Sequence, residues 1–291
     1  MSKYSKEFQV SSPVELNKLP TRLAQEKSDK KWIKKLRKVS KKLSGLQNEL
    51  YAHGKYSVLV CIQGMDTSGK DSLIREVFKE FNIRGVVAHS FKKPTKLELK
   101  HDFLWRHYKA LPDRGKYGVF NRSHYENVII SRVHPEIVLN ENLPHINSVE
   151  DITEEFWEQR IEHIKAFENI IQMNGCIVFK FFLHISKDEQ KFRLLRRLNK
   201  PNKNWKFTPE DIEERELWDD YVHYYEEAIN KTSTEQAPWF VIPSDNKKQA
   251  RYLVAKILKE QMSKFTDIQN PSLPHHLEIK LDHYKKILKD S

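Results

Sequence analysis

Cysteine is nearly absent from this chain: two residues in 291, Cys61 and Cys176, each inside an apolar run. That scarcity excludes a disulfide-stapled module and reads as two buried thiols in a reducing compartment. Glycine is scarce too, with eight residues beside 12 prolines, which leaves no room for a collagen-like or linker-like chain. No apolar run approaches the roughly 20 residues of a membrane-crossing helix. The opening stretch MSKYSKEFQVSSP lacks the apolar centre of a secretory signal. A cytoplasmic location without membrane contact is therefore expected. The thirteen histidines are scattered without metal-ligand spacing, and no Gly-x-Ser-x-Gly turn is present, so nucleophilic hydrolase chemistry has no support.

Aromatic residues are plentiful: 15 Phe, 11 Tyr and 6 Trp are enough for a sizeable core and argue against intrinsic disorder. Basic charge is in excess, 51 Lys and Arg against 40 Asp and Glu, which implies an anionic partner or a basic surface. The excess is uneven. Residues 1–55 carry 14 basic against 5 acidic side chains and residues 187–206 carry 8 against 2, whereas residues 209–228 carry nine acids and one arginine. Nucleic acid is one candidate partner, but any polyanion satisfies the same arithmetic.

Five apolar runs read as strands: Tyr56–Ile62, Gly85–Phe91, Tyr117–Phe120, Cys176–Ile185 and Pro238–Ile242. Several are continuous rather than alternating, as parallel strands covered on both faces require. Helical apolar stripes run over 72–81 (Leu73, Ile74, Val77, Phe78, Phe81) and over 155–173, and a weaker one over 97–105 suits a crossover helix. A lysine-rich amphipathic helix spans 30–51. Strand and helix alternate, so the expectation is a doubly wound α/β fold with a parallel sheet. The expected division is an N-terminal helical arm over 1–55, a core over 56–264 with a lid near 193–210, and an extension over 265–291.

The strongest local pattern follows the first strand. GMDTSGKDS (64–72) fits G-x-x-x-x-G-K between a buried strand and an amphipathic helix, the context a phosphate-binding loop needs. Gly64 and Gly69 let the backbone turn, so that the N–H groups of the loop, with Thr67, Ser68, Asp71 and Ser72, cradle phosphate oxygens. Lys70 supplies a point charge to the phosphoryl group. Asp71 stands where a serine or threonine usually ligates Mg²⁺. Asp66 lies inside the loop, where a carboxylate repels phosphate unless it holds a metal or orients the acceptor.

Ligands of open α/β sheets bind at the carboxyl ends of the strands. Lys92 and Lys93 follow the second strand there. After the third come Asn121, Arg122 and Glu126, then Arg132; the two arginines suit bidentate phosphate contacts. Beyond the fourth strand, six cations in 14 residues, among them Arg193, Arg196 and Arg197, read as a mobile lid over phosphates, or else as a basic face balanced by an acidic helix over 210–220.

Together these segments resemble the polyphosphate kinase 2 family. The likeness rests on GMDTSGKDS (64–72), RGVVAHSFKKPT (84–95), HDFLWRHYKALP (101–112), GVFNRSHYENVIISRVHPE (118–136) and RLLRRLNKPNKNWKF (193–207), and runs over roughly residues 30–260. The resemblance implies a three-layer α/β/α, thymidylate-kinase-like phosphate-loop kinase fold with a helical lid. It implies Mg²⁺-dependent phosphoryl transfer between inorganic polyphosphate and a nucleotide, with Mn²⁺ as the alternative ion, in a homodimer or homotetramer. Many family members carry Asp-Arg-Ser-Trp-Tyr-Asn in the second motif. Asn121 to Glu126 here reads Asn-Arg-Ser-His-Tyr-Glu, similar to class III members that phosphorylate both AMP and ADP. Asn121 occupies the place of the family's second aspartate, so Asp66 and Glu126 are the expected metal ligands. Asn121, Arg122, Glu126 and Arg132 are the expected nucleotide contacts. Two other readings remain open at this point: an ATP-dependent nucleoside monophosphate kinase, and a basic nucleic-acid-binding module, which recognised nucleic-acid motifs do not support.

Overall fold

The computed structural model describes residues 3–24 and 28–291. The side chains of Lys3, Lys203, Trp205 and Lys206 lie outside the described residues, among them the lid cations expected at 203 and 206, as do residues 1, 2 and 25–27 of the expected arm. Five strands, β1 (Ser57–Gln63), β2 (Val86–Ser90), β3 (Tyr117–Asn121), β4 (Cys176–His184) and β5 (Trp239–Pro243), form one sheet in the order β2-β3-β1-β4-β5. Every neighbouring pair is parallel. The five apolar runs thus become strands within one or two residues of their expected bounds.

The sheet is covered on both faces, which gives the three layers. Val58, Val60 and Ile62 of β1 and Phe179, Phe181 and Leu183 of β4 point to one face. There they pack against α1 (Asp29–His53), α2 (Lys70–Val77) and the C-terminal helix of the core, Lys247–Met262. Leu59, Cys61, Val178 and Phe182 point to the opposite face, against α3 (Glu154–Met173) and the helix over Trp218–Thr232. The alternation of neighbours is the period-two geometry of a strand, and covering both sides explains why the runs read as continuously apolar.

The expected arm does not stand apart from this core. Trp32, Leu36, Leu43 and Leu50 of α1 are buried in the same cluster as β1. Residues before it close the sheet edge: Gln9 bridges Phe240 in antiparallel fashion, and the Val10 amide donates to the Trp239 carbonyl at 2.8 Å. Pairing an edge strand in this way removes exposed donors and acceptors.

The crossover between β2 and β3 is not one helix. Only a 3₁₀ turn at Glu98–Lys100 and a short helix at Trp105–Lys109 form, because Asp102 captures the Leu104 amide at 2.9 Å and breaks the run. The lid contains α4 (Lys187–Leu198), capped by Ser186, and a 3₁₀ segment over Pro201–Lys206. The acidic stretch forms α5 (Glu210–Glu216) and, after a break at Leu217, α6 (Trp218–Thr232) rather than one helix. Helix α7 is Lys247–Met262. No helix among the described residues is long and apolar enough to cross a membrane.

Candidate active site

Strand β1 ends at the centre of the sheet, and the chain turns there through backbone conformations that side chains resist. Gly64 has φ 151°, and a Cβ at this position would lie 2.9 Å from the Leu183 carbonyl oxygen of β4. Gly69 has φ 106°, and Thr67 between them also has a positive φ of 59°. The loop therefore curls tightly against β4 before α2 begins at Lys70, with the amide ends of the helix facing the loop.

Lys70 is only 9% exposed and folds back under this loop. Its Nζ donates to the Gly64 carbonyl at 2.7 Å and the Met65 carbonyl at 3.2 Å. Burial, followed by the Arg122 charge, brings its ammonium down to about 8, against the opposing pull of Asp66, Glu126 and Asp71. Asp66 Oδ2, Thr67 Oγ1 and Ser68 Oγ are buried without a hydrogen-bond partner. Three such atoms in successive residues leave hydrogen-bonding capacity open to a polar ligand or to water.

The second motif faces this loop from β3. Arg122 turns the chain with φ 62°, and Ser123 caps a 3₁₀ helix over His124–Val128. Arg122 thus lies outside the helix, yet its Nη1 donates to Glu126 Oε2 at 3.1 Å, and the Glu126 carboxylate raises the guanidinium pKa. Asn121 contributes differently from a metal-binding aspartate. Its Nδ2 donates to Asp71 Oδ1 at 2.6 Å and to Ser90 Oγ at 3.2 Å, joining β2, β3 and α2 at the sheet edge. Asn121 Oδ1 is buried and without a hydrogen bond. Asn121→Asp sets one carboxylate against another, and like charges at this distance destabilise each other. We expect a lower melting temperature in a chelator, with much of the loss restored by millimolar Mg²⁺. Equal melting curves for this variant with and without Mg²⁺ would contradict that expectation.

The lid is fastened to the loop by two of its arginines. Arg193, 6% exposed, spends its donors on Glu189, on the Thr67 and Ser68 carbonyls at 3.0 and 2.8 Å, and on the Ser244 and Asp245 carbonyls at 2.6 and 3.0 Å. It is a strut beneath the phosphate loop and not, as expected, a phosphate contact. Arg197 pairs with Asp211 at 2.6 Å and reaches Asp66 at 3.5 Å, too far for a hydrogen bond. Burial and then the Asp66 charge raise the Asp211 carboxyl. Arg196 is exposed on the lid helix.

Arg132 is also corrected. It is 8% exposed, bonds Glu227 at 2.6 Å and Glu154 at 2.7 Å, and lies over the Tyr224 ring, so it ties α3 to α6 and offers no phosphate clamp. Lys92 and Lys93 are exposed beyond the end of β2, and Lys93 acts on Glu210 of the lid. Ser72 caps within its own helix, donating to the Gly69 carbonyl at 3.0 Å.

Beneath the second motif lies a charged network absent from the sequence-based expectations. Lys180 of β4 is fully buried and donates to Glu168 Oε2 at 2.7 Å, Tyr125 Oη at 3.1 Å and the Thr232 carbonyl at 2.7 Å. Glu168 also accepts from Tyr125 Oη at 2.7 Å and lies 3.2 Å from His124 Nε2. Burial lowers the His124 imidazole, while the Lys180 charge holds the Glu168 carboxyl low against its own desolvation. The signal was legible: a lysine inside CIVFKFFLHI must find a buried partner. Among the described residues no three His, Cys, Asp or Glu side chains converge as a metal cluster.

A glycine-turned loop over a buried lysine at a parallel strand end, closed by an arginine-bearing lid, defines a phosphate-loop phosphotransferase. The particular lineage follows from comparison: the model of the polyphosphate kinase 2 family matches residues 26–270, and the chain belongs to that family. It is 44% identical over 261 residues, 89% of each chain, to an ADP-polyphosphate phosphotransferase of Rhodopseudomonas palustris. It is 45% identical over 224 residues, 77% of this chain and 78% of the relative, to an AMP/ADP-polyphosphate phosphotransferase of Meiothermus ruber. The crystal structure of polyphosphate kinase 2 from Arthrobacter aurescens TC1 matches with a TM-score of 0.86 at 33% identity, over 97% of each chain.

Proposed function

We propose that this protein transfers the terminal phosphoryl group of inorganic polyphosphate to AMP and to ADP, reversibly and with Mg²⁺. One observation carries the reading: the buried Lys70, the Arg122–Glu126 pair and the unsatisfied oxygens of residues 66–68 all meet at one strand edge. The activities for which the two relatives are named support the donor and both acceptors.

Phosphoryl transfer passes through a loose transition state, so the protein supplies alignment and charge rather than covalent chemistry. The loop amides hold the donor phosphates, and Lys70 exchanges its two carbonyl partners for phosphate oxygens as they arrive. Arg122, kept charged by Glu126, faces the transferred group. The lid, anchored to the loop by Arg193, excludes water that would otherwise hydrolyse the donor. Asp66 and Asn121 each present a buried hard oxygen without a partner, which fits Mg²⁺, an ion that keeps waters and uses substrate phosphates. Asp66, with Glu126 as the second acid, would hold it, and there it would supply positive charge against that developing on the phosphoryl oxygens. The buried thiols of Cys61 and Cys176 suit a cytoplasmic setting.

Luminescence detection of ATP tests the acceptor range. With polyphosphate and Mg²⁺, ATP is expected promptly from ADP and after a lag from AMP. ATP from ADP but never from AMP would remove AMP from the proposal.

A further inference from the structure

The carboxylate of Asp245 is not used by any step above, yet it joins two distant parts of the chain to the end of β5. Strand β5 ends at Pro243, and Ser244 and Asp245 lead from it into α7 at the carboxyl edge of the sheet. Asp245 Oδ1 accepts the Ser186 amide at 2.9 Å, and Oδ2 accepts the Ser186 hydroxyl at 3.1 Å. Ser186 is the cap of the lid helix α4. Its Oγ accepts the Glu189 amide at 3.1 Å, so its own proton goes to Asp245. A carboxylate also suits the positive end of that helix.

The other part is the segment before α1, which runs as a strap past the ends of β4 and β5. Leu16 is fully buried and donates its amide to Glu226 of α6 at 2.7 Å, and the Leu19 carbonyl accepts from His184 Nε2 at 3.3 Å. At Thr21 the strap meets Asp245 twice. The Thr21 hydroxyl donates to Asp245 Oδ2 at 2.8 Å, and the Thr21 carbonyl accepts the Asp245 amide at 3.0 Å.

The consequence lies in what α4 carries. Arg193 stands two turns beyond Ser186, about 10 Å along the helix. It donates to the Thr67 and Ser68 carbonyls of the phosphate loop and, on its other side, to the Ser244 and Asp245 carbonyls. Helix α4 is thus held against residues 244 and 245 at two points, and a rod held at two points keeps its direction. With the Ser186 attachment lost, it swivels about Arg193. A tilt of roughly 10° then moves Arg197, about 6 Å further on, by about 1 Å. Misplacements of about 1 Å can cost about 10²-fold in rate.

We propose that Asp245 is a positioning residue. Together with the Thr21 strap it fixes the direction of the lid helix, and so the seat of Arg193 on the phosphate loop and of Arg197 beside Asp66. It acts through Ser186 and α4 rather than on the substrate. The proposal rests on the polyphosphate reading given above.

Trypsin cleavage of the full-length, unliganded protein after Arg196 and Arg197, followed by mass spectrometry, reads the order of the lid without turnover. Where reclosing is fast, cleavage tracks the population of the open form. Asp245→Ala should be cut about tenfold faster than wild type, and Thr21→Val, which loses one hydrogen bond at nearly constant volume, about threefold faster. Thr21→Ser keeps the hydroxyl and should match wild type. The second readout is the ratio of phosphate released from polyphosphate without acceptor to ATP formed from ADP, because a misdirected lid admits water while alignment is lost. That ratio should rise about tenfold in Asp245→Ala and about threefold in Thr21→Val. Thr21→Val decides the matter if Asp245→Ala does not fold. Wild-type cleavage and a wild-type ratio in Thr21→Val would overturn the proposal. A lower melting temperature or faster cleavage with the ratio unchanged would overturn it too, leaving Asp245 a structural tie. Should the wild type transfer nothing from polyphosphate, the reaction is contradicted, and the cleavage series alone decides whether Asp245 sets the lid.

Discussion

Lys70→Met is expected to lower kcat by at least about 10²-fold while leaving the melting temperature unchanged or slightly raised. The activity loss follows from removing a preorganised charge aimed at the transferred group, an effect of about 10²–10³ where single contacts of this kind have been deleted. The stability argument is different from that for a surface lysine. Lys70 is buried and holds its proton less firmly than a free lysine, so the unliganded fold pays for its charge. Methionine keeps the volume, and the Gly64 and Met65 carbonyls it leaves behind can turn to water at the mouth of the loop. The same depressed pKa gives a pH signature. Because Lys70 loses its proton near 8 in the free protein, kcat/KM for polyphosphate should fall as pH rises through about 8. Bound phosphates hold that proton, so kcat should persist to higher pH. A Lys70→Met protein with near-normal kcat would remove the phosphate loop from the reaction.

The largest stability effect is expected in the network under the second motif. Lys180→Met leaves Glu168 charged and buried with only Tyr125 and His124 as donors. Stranding one member of a buried pair costs about 3–5 kcal/mol, which in a chain of this size lowers the melting temperature by on the order of 10 °C. The double variant Lys180→Met/Glu168→Gln removes both charges and should recover part of that loss, since residues in one network do not act additively. His124 and Tyr125 share a short 3₁₀ helix with Glu126, so loosening the network should also weaken the Arg122–Glu126 pair. Additive losses in the double variant would show that Lys180 and Glu168 act separately.

The strands were readable because burial on both faces demands continuous apolar runs, and β1 and β4 have them. The loop was readable because Gly64 and Gly69 stand where positive φ is required. What remained hidden depended on contacts across the chain. Arg132, Arg193 and Arg197 look alike as cations in a sequence, yet partners 14 to 131 residues away decide their roles. Asn121 reads as a missing carboxylate until Asp71, 50 residues earlier, is seen to accept its amide hydrogen. Glu168 lies on an amphipathic helix whose acidic residues mostly face solvent, and its partners on β4 and in the second motif show only in the fold.

The most direct test of the central claim is nucleotide chromatography with AMP as acceptor and either long-chain polyphosphate or ATP as the sole donor, each with Mg²⁺ and each repeated with Lys70→Met. ADP and then ATP should accumulate with polyphosphate, far faster than any product forms with ATP as donor, and the Lys70→Met samples should be nearly blank. Rapid ADP formation from AMP and ATP, with polyphosphate left untouched, would contradict it.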